Sequence, residues 1–553
     1  MGGNQINKIV FSKGDAGLRK LYSLSLSSVS ISDGNNLFQT LSSLSSLQSF
    51  ELWDCNISGR LLTHELPTFK NLTYLSIINS DLKNILNQVL STLKSLKHVS
   101  MGGIVLNNFP TILSGSCNSL ETLLLYSCNL TSTLSKQELP TFKNLTRLKI
   151  YDIIHYNFLQ MLGTMPSLES IRIWDSILKD TQFGQVLPIF KSLKRVEMYG
   201  VDLNNFFAIL DGSYNSLEIL RLFNCNLTNA LVKQGQPTFK NLNILDIYKT
   251  HLDINYLWML NESFNSLQLL QLDGKNLSNT FLEQGICKSL HLQYLSIADN
   301  DWGGNLPWCL ANLTSLESVD ISSNQFTGDM SSSPLKVLTS IQFLELSDNN
   351  FRIPISLEPF FNHSKLKTFY AYNTEIYTGM ESLYLTPKFQ LKSILLSANK
   401  YNGSFPKFLY SQYDLEEVGL YNLNLKGEFP VWLLNNNTNL RDLYLFNNSL
   451  SGPLQLPNHS HMSLIGLDIS TNSFHEHIPN GIGTYLPMLQ YLNISRNALH
   501  GSIPSSFGDM KLLQELDLSN NLLTGQIPHQ MAIGCLSLYR LALSNNSLQG
   551  EIC

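Results

Sequence analysis

The sequence predicts an α/β solenoid: a superhelix of about 22 leucine-rich repeats with a continuous parallel β-sheet along its concave face. Three observations carry the prediction. The motif L-x-x-L-x-L begins at Leu18 and recurs to Leu538, and from Leu47 onward successive starts lie 23–25 residues apart. Within each unit the residues alternate as in a strand: in LQELDLSNNLLTGQIP, Leu516 and Leu518 face inward while Glu515, Asp517 and Ser519 face outward. A polar residue then recurs at one turn position, where a column of amides can satisfy backbone groups that a tight turn leaves unpaired.

The turn position divides the chain. From Leu292 on it is Asn300, Asn324, Asn349, Asn399, Asn448, Asn472, Asn497, Asn521 and Asn546, with Thr374 and Leu423 as exceptions. Before that it is Val29, Cys55, Ser80, Ile104, Cys128, Ile153, Ser176, Val201, Cys225, Thr250 and Lys275, so a weaker or absent polar ladder is expected there. A Gly-x-hydrophobic-Pro signature, as in Gly501 to Pro504 and Gly525 to Pro528, is confined to the second half. The organisation expected is a non-repeat segment 1–17, irregular repeats 18–290 and regular repeats 291–553, with 18–553 as one solenoid. PTFKNL recurs at Pro67, Pro140 and Pro237, and PIFKSL at Pro188, so the first half grew by duplication of repeat pairs.

Composition fits such an array. Of 553 residues 43% are hydrophobic and only 14% charged, because each unit spends its positions on leucines and on the Asn and Ser of its turns. No run approaches the ~18 apolar residues of a membrane span. A net charge of -5 without a long basic run argues against nucleic acid as partner. The N-terminus MGGNQINKIV lacks the apolar core of a secretory signal, and Ile6 stands where an N-myristoylation motif needs Ser or Thr.

The concave face offers a candidate site. At the outward position after the second strand leucine the second half carries Ser322, Ser347, Ser397, Ser470, Ser495, Ser519 and Ser544. The first half carries Trp53, Ile78, Gly102, Tyr126, Tyr151, Trp174, Tyr199, Phe223 and Tyr248, six aromatics of these in consecutive repeats. Beside them stand Arg147, Lys149, Arg172, Arg195, Glu197, Arg221 and Asp246. Exposed aromatics and arginines on a rigid sheet suit recognition of a peptide or protein, since they give large contact area at low entropic cost. β-Propensity combined with duplication would also fill a strand surface with aromatics.

Fifteen N-x-S/T sequons, at Asn56, Asn71, Asn129, Asn144, Asn226, Asn261, Asn276, Asn312, Asn362, Asn402, Asn436, Asn447, Asn458, Asn493 and Asn545, are candidate glycosylation sites on turns and the convex side. Cys287 and Cys309, 22 residues apart at nearly equivalent registers, are expected to form a disulfide in an oxidising compartment. Cys55, Cys128 and Cys225 read as small buried thiols. The pairs His459/His461 and His475/His477 lack helical spacing and partner cysteines, so no metal is expected, and no cofactor motif or catalytic signature is present.

The strings NLPWCLANLTSLESVDISSNQFTG from Asn305, LPNHSHMSLIGLDISTNSF from Leu456, LNISRNALHGSIPSSFGDM from Leu492 and LALSNNSLQGEI from Leu541 resemble the ectodomains of plant leucine-rich-repeat receptor-like proteins. The likeness is close over about residues 280–553 and looser before. The resemblance implies the plant-type repeat superhelix and non-catalytic recognition of an extracellular peptide or protein ligand. It also implies a plasma-membrane receptor in defence or development, with signalling supplied by a co-receptor kinase. A secreted inhibitor of a microbial cell-wall hydrolase and a receptor-kinase ectodomain are the alternatives. The family's signal peptide, capping cysteines and membrane span are not matched, and the sequence stops at Cys553 within a repeat, so a receptor cut from its middle is expected.

Overall fold

A computed structural model describes residue 18 and residues 20–550 apart from 59–68, 83–84, 108, 110, 132–139, 157–160, 180–189, 205, 211, 214, 229–238, 252–260, 274–278, 380–384 and 399–400. The chain comprises two compact units, Met1–Gly274 and Lys275–Cys553. Each has the leucine-rich-repeat architecture.

In the first unit eleven described parallel strands run from Ser23–Ser27 to Leu269–Leu272, each paired in register with the next repeat. The pairing of Ser23–Ser27 with Ser49–Trp53 places Leu24 beside Phe50 and Leu26 beside Leu52. The first repeat therefore starts at Leu21, and the start expected at Leu18 is corrected by three residues. Counted from Leu18 the motif fails at Ser23, whereas Leu21, Leu24 and Leu26 complete it, and burial agrees: Leu26 is fully buried whereas Leu18 is 41% exposed. On the other side of the core lie short helices such as Gly34–Ser42, whose first turn is capped by the Asp33 carboxylate accepting from the Asn36 amide at 3.0 Å. The phenylalanines of the duplicated PTFKNL segments (Phe69, Phe142, Phe239) and of PIFKSL (Phe190) are buried. Pro67, Pro188 and Pro237 lie outside the described residues.

The second unit likewise has eleven described parallel strands, from Tyr294–Ser296 to Arg540–Ala542. Its asparagine ladder is explicit. Asn349 Nδ2 donates to the carbonyls of Ile321 (2.8 Å), Leu346 (3.2 Å) and Ser347 (3.1 Å), and its Oδ1 accepts from the Phe326 amide at 3.0 Å. One side chain thus ties its own turn to the preceding repeat. Asn324, Asn448, Asn472, Asn497 and Asn521 repeat the pattern; Asn399 and Lys275 lie outside the described residues. Replacing Asn349 by Ala orphans a buried amide and buried carbonyls, each worth about 1–3 kcal/mol. The expected result is a lower urea midpoint at unchanged slope, by about 2–4 kcal/mol in all.

The first unit has the weaker ladder, in partial form. Ser80 and Ser176 accept from the amides of Cys55 (3.0 Å) and Ile153 (3.1 Å) and donate to carbonyls of their own turns. The buried Cys128 and Cys225 thiols reach the carbonyls of Met101 and Met198 in the preceding repeats, 27 residues back, the separation at which Asn324 Nδ2 reaches Ile297. A thiol donates only weakly and does not take over the amide's acceptor role. Burial pushes both thiols above the ordinary cysteine range, so the donor proton stays on.

Of the seven serines expected to face outward in the second unit, Ser544 is exposed and Ser322 half-buried, and the other five need correction. Ser347, Ser397, Ser470, Ser495 and Ser519 are buried. A polar side chain two residues earlier folds over the turn and accepts from the serine amide: Glu345 for Ser347 at 3.0 Å, Asp468 for Ser470 and Asp517 for Ser519 at 2.9 Å. The serine is small enough to sit beneath it.

Candidate functional site

In the first unit the strand register sets equivalent residues of neighbouring repeats side by side. Arg147–Tyr151 pairs with Ser170–Trp174, which pairs with Arg195–Tyr199, then Ile219–Phe223, then Ile244–Tyr248. The rings at the strand ends are brought to repeat-to-repeat spacing and stack. Tyr151 and Trp174 have centroids 4.4 Å apart and planes 3° apart, Trp174 and Tyr199 lie at 5.3 Å and 5°, and Tyr199 and Phe223 at 4.9 Å and 11°. At the ends the stack turns: Tyr126 meets Tyr151 at 60°, and Phe223 meets Tyr248 at 48°. The four central rings therefore spend their faces on one another and offer edges and hydroxyls to solvent. An aromatic edge carries partial positive charge, which suits carbonyl oxygens and carboxylates.

Tyr126 is 47% exposed and leans over Gly102, where a Cβ would meet its Cδ1 at 3.1 Å. Trp53, 46% exposed, stands three strands away across Ile78 and Gly102 and does not join the stack.

Beside the rings the charged row folds into a network. Glu197, 4% exposed, receives Arg172 Nε at 2.6 Å on one oxygen and Arg195 Nη1 at 3.1 Å on the other, with Arg221 Nη1 at 3.6 Å. Arg221 Nε also lies 3.6 Å from Asp246. Arg172 and Arg221, expected as ligand contacts, are therefore tied down in part. Arg147 is exposed and Lys149 half-buried, and neither has a carboxylate within ion-pair distance among the described residues. Sequence reading placed Glu197 in the row but not at its centre. The signal was the offset of its partners by one repeat, 25 residues for Arg172 and 24 for Arg221.

Asp246 is the strained member. Burial pushes its carboxyl up to about 6, only partly opposed by Arg221, and its Oδ1 is buried without a hydrogen-bond partner. The native state thus holds the proton more tightly than the unfolded chain, and stability falls as pH rises from about 4 to about 6. Asp246→Asn removes that dependence. Urea midpoints for the parent are expected to decline over this window by the equivalent of about 2 kcal/mol relative to the variant; parallel pH profiles would contradict the assignment. Burial, with the neighbouring Glu197, raises the Tyr199 phenol, which therefore stays a donor.

The other sequence-derived sites are placed as follows. Cys287 and Cys309 are joined, with sulfurs at 1.98 Å and Cα atoms at 5.5 Å. Asn56, Asn71, Asn129, Asn144, Asn226, Asn312, Asn362, Asn402, Asn436, Asn447, Asn458 and Asn545 are exposed. Asn493 differs: it lies half-buried on a concave strand, its amide donating to Asp468 Oδ2 at 3.1 Å. The Asn261 side chain and Asn276 fall outside the described residues. His461 is buried and committed to the backbone, through the Asn437 carbonyl at 3.0 Å and the Leu464 amide at 3.2 Å. No helix among the described residues is long and apolar enough to cross a membrane.

Comparison with known proteins agrees with this architecture. A family model described as leucine rich repeat matches residues 463–523. Cuscuta receptor 1 of Solanum lycopersicum is 32% identical over 268 residues, 48% of this chain and 24% of the relative. Receptor-like protein 1 of Arabidopsis thaliana is 38% identical over 228 residues, 41% of this chain and 21% of the relative. The chain spans less than a quarter of the length of these two relatives. Among solved structures, the complex of PEPR1 with AtPEP1 aligns with a TM-score of 0.60 at 20% identity, over 96% of this chain and 76% of that one. The Arabidopsis receptor kinase HAESA, in complex with the peptide hormone IDA and the co-receptor SERK1, aligns with a TM-score of 0.58 at 22% identity, over 97% and 88%. At these identities the structures speak for the fold. In sequence the chain is similar to plant receptor-like proteins, and in fold to the leucine-rich-repeat ectodomains of plant receptors.

Proposed function

We propose that this chain is part of the extracellular, ligand-recognising solenoid of a plant cell-surface receptor-like protein. It acts by binding and carries no catalysis of its own. The observation that carries the reading is the stack Tyr151–Trp174–Tyr199–Phe223 on a concave sheet, flanked by the cations Arg147 and Lys149. An extended peptide or protein loop crossing the strands would set backbone carbonyls and apolar side chains along the ring edges, with an acidic group at the Arg147 and Lys149 end. The relatives' naming as receptors, and peptide and co-receptor complexes in the same fold, support a peptide ligand and a co-receptor kinase as partners. Membrane attachment would come from parts of the protein beyond this chain.

The reading is tested by selecting a random peptide display library on the immobilised, secreted chain. Convergence on peptides combining aromatic or aliphatic residues with an acidic residue is expected. Selection that yields nothing above an unrelated solenoid would count against it.

A further inference from the structure

The second unit carries a three-donor cluster outside the concave face. In the short strands Ser473–His477 and Ala498–Ser502, which pair in parallel on the far side of the turn, His477 lies opposite His500 and Glu476 opposite Leu499. One ligand atom from each of Glu476, His477 and His500 falls within 4.8 Å of the others. The imidazoles lie edge to face with centroids 4.4 Å apart, and His500 Nε2 is 3.8 Å from Glu476 Oε2. Glu476 and His477 are exposed and His500 half-buried.

The backbone at Glu476 makes this convergence unlike an accidental surface grouping. Adjacent residues of a strand normally project to opposite sides. Glu476 has φ 71°, a left-handed conformation that breaks the alternation and brings its carboxylate to the side of His477. The same repeat position holds glycine at φ 73° in Gly304, 81° in Gly501 and 76° in Gly525. A non-glycine residue there costs about 1–2 kcal/mol. An exposed Glu–His contact returns about 0–1 kcal/mol, too little to account for the substitution. Gly501, the residue usual at this repeat position, permits the arrangement: a Cβ there would run into the His477 ring, so the glycine leaves the space in which that imidazole stands beside His500.

We propose that Glu476, His477 and His500 form a binding site for a divalent transition-metal cation of the Zn2+ type. Two imidazole nitrogens and one carboxylate oxygen are a donor set for such an ion. Ligands at ~2.0–2.1 Å from a tetrahedral ion lie ~3.4 Å from one another, so side-chain rotations of about 1 Å close the cluster. The fourth position is left to water or to a donor from a partner. Bound metal clips two consecutive repeats together across the strand pair. Sequence reading discounted the histidines because it paired those within one repeat, His475 with His477; the relevant partner, His500, is 23 residues on, one repeat away.

The test is Zn2+ titration of the whole chain against a chromophoric chelator, together with thermal midpoints measured with and without Zn2+. The parent is expected to bind one equivalent and to melt higher with Zn2+. His500→Ala should weaken binding at least about tenfold, while His459→Ala leaves it unchanged. Glu476→Gly restores the residue other repeats use, so its folding is not at risk. It should melt higher than the parent without metal and lose most of the Zn2+-dependent rise. Unchanged affinity in His500→Ala, an undiminished Zn2+ response in Glu476→Gly, or absence of one-equivalent binding by the parent would each overturn the assignment.

Discussion

Glu197→Ala is expected to destabilise the first unit by about 3 kcal/mol, the effect of breaking a buried ion cluster by removing its centre. The carboxylate is 4% exposed and holds the guanidinium groups of Arg172 and Arg195, with Arg221 at 3.6 Å. Without it three cations crowd one patch of sheet with only Asp246 to balance them. Each arginine keeps about a third of its side chain in solvent, which holds the loss below that of a fully enclosed triad. Glu197→Gln preserves shape and acceptor capacity but not charge, and should fall between Ala and the parent. The variant should also dim the near-ultraviolet circular dichroism of the stacked rings, because Arg172 shares a strand with Trp174, and Glu197 one with Tyr199. Urea unfolding within about 0.5 kcal/mol of the parent would mean that the arginines are individually solvated and the network is incidental.

The second large effect is on binding. Trp174 and Tyr199 are the inner members of the four-ring stack, and replacing both by Ala leaves Tyr151 and Phe223 about three strand spacings, ~14 Å, apart. A continuous apolar edge becomes two separate rings. Truncation of an interface aromatic commonly costs 2 kcal/mol or more, so the pair should cost a bound peptide on the order of 100-fold or more in affinity. Three ring contacts are lost as well, at about 0.5–1.5 kcal/mol each, but the fold should survive, because both rings are half-exposed and the inward Ile173 and Met198 that fill the core of their strands are untouched. That contrast separates a binding role from a packing role.

How much of this was legible in the sequence depends on whether a feature lies within one repeat or between two. Inward leucines, turn asparagines and the aromatic column follow from a period that any single repeat displays. The first repeat was misread by three residues because its leucines recur at spacing three through Leu18, Leu21 and Leu24; only the count from Leu21 puts a leucine, Leu26, at the sixth position, and the pairing to Phe50 and Leu52 agrees. Five serines of the second unit are buried against expectation because alternation says which way a side chain starts, not whether a neighbour such as Glu345 or Asp468 will fold over it. The Glu197 hub and the His477–His500 pair belong to neither repeat alone. Each becomes visible only when residues one repeat length apart are treated as neighbours, which is the relation parallel pairing creates. Glu476 was hidden differently: it fills a glycine position, and its left-handed backbone brings its carboxylate to the side of His477.

The concave stack as a recognition surface is tested most directly by one measurement. Peptides selected on the parent chain are titrated against the parent and against the Trp174→Ala, Tyr199→Ala variant, with urea midpoints taken on both proteins. An affinity loss of about 100-fold, with both proteins fully folded at the denaturant-free conditions of the titration, is the result expected. Equal affinity for the two proteins would contradict the account and leave the stacked rings as a by-product of repeat duplication.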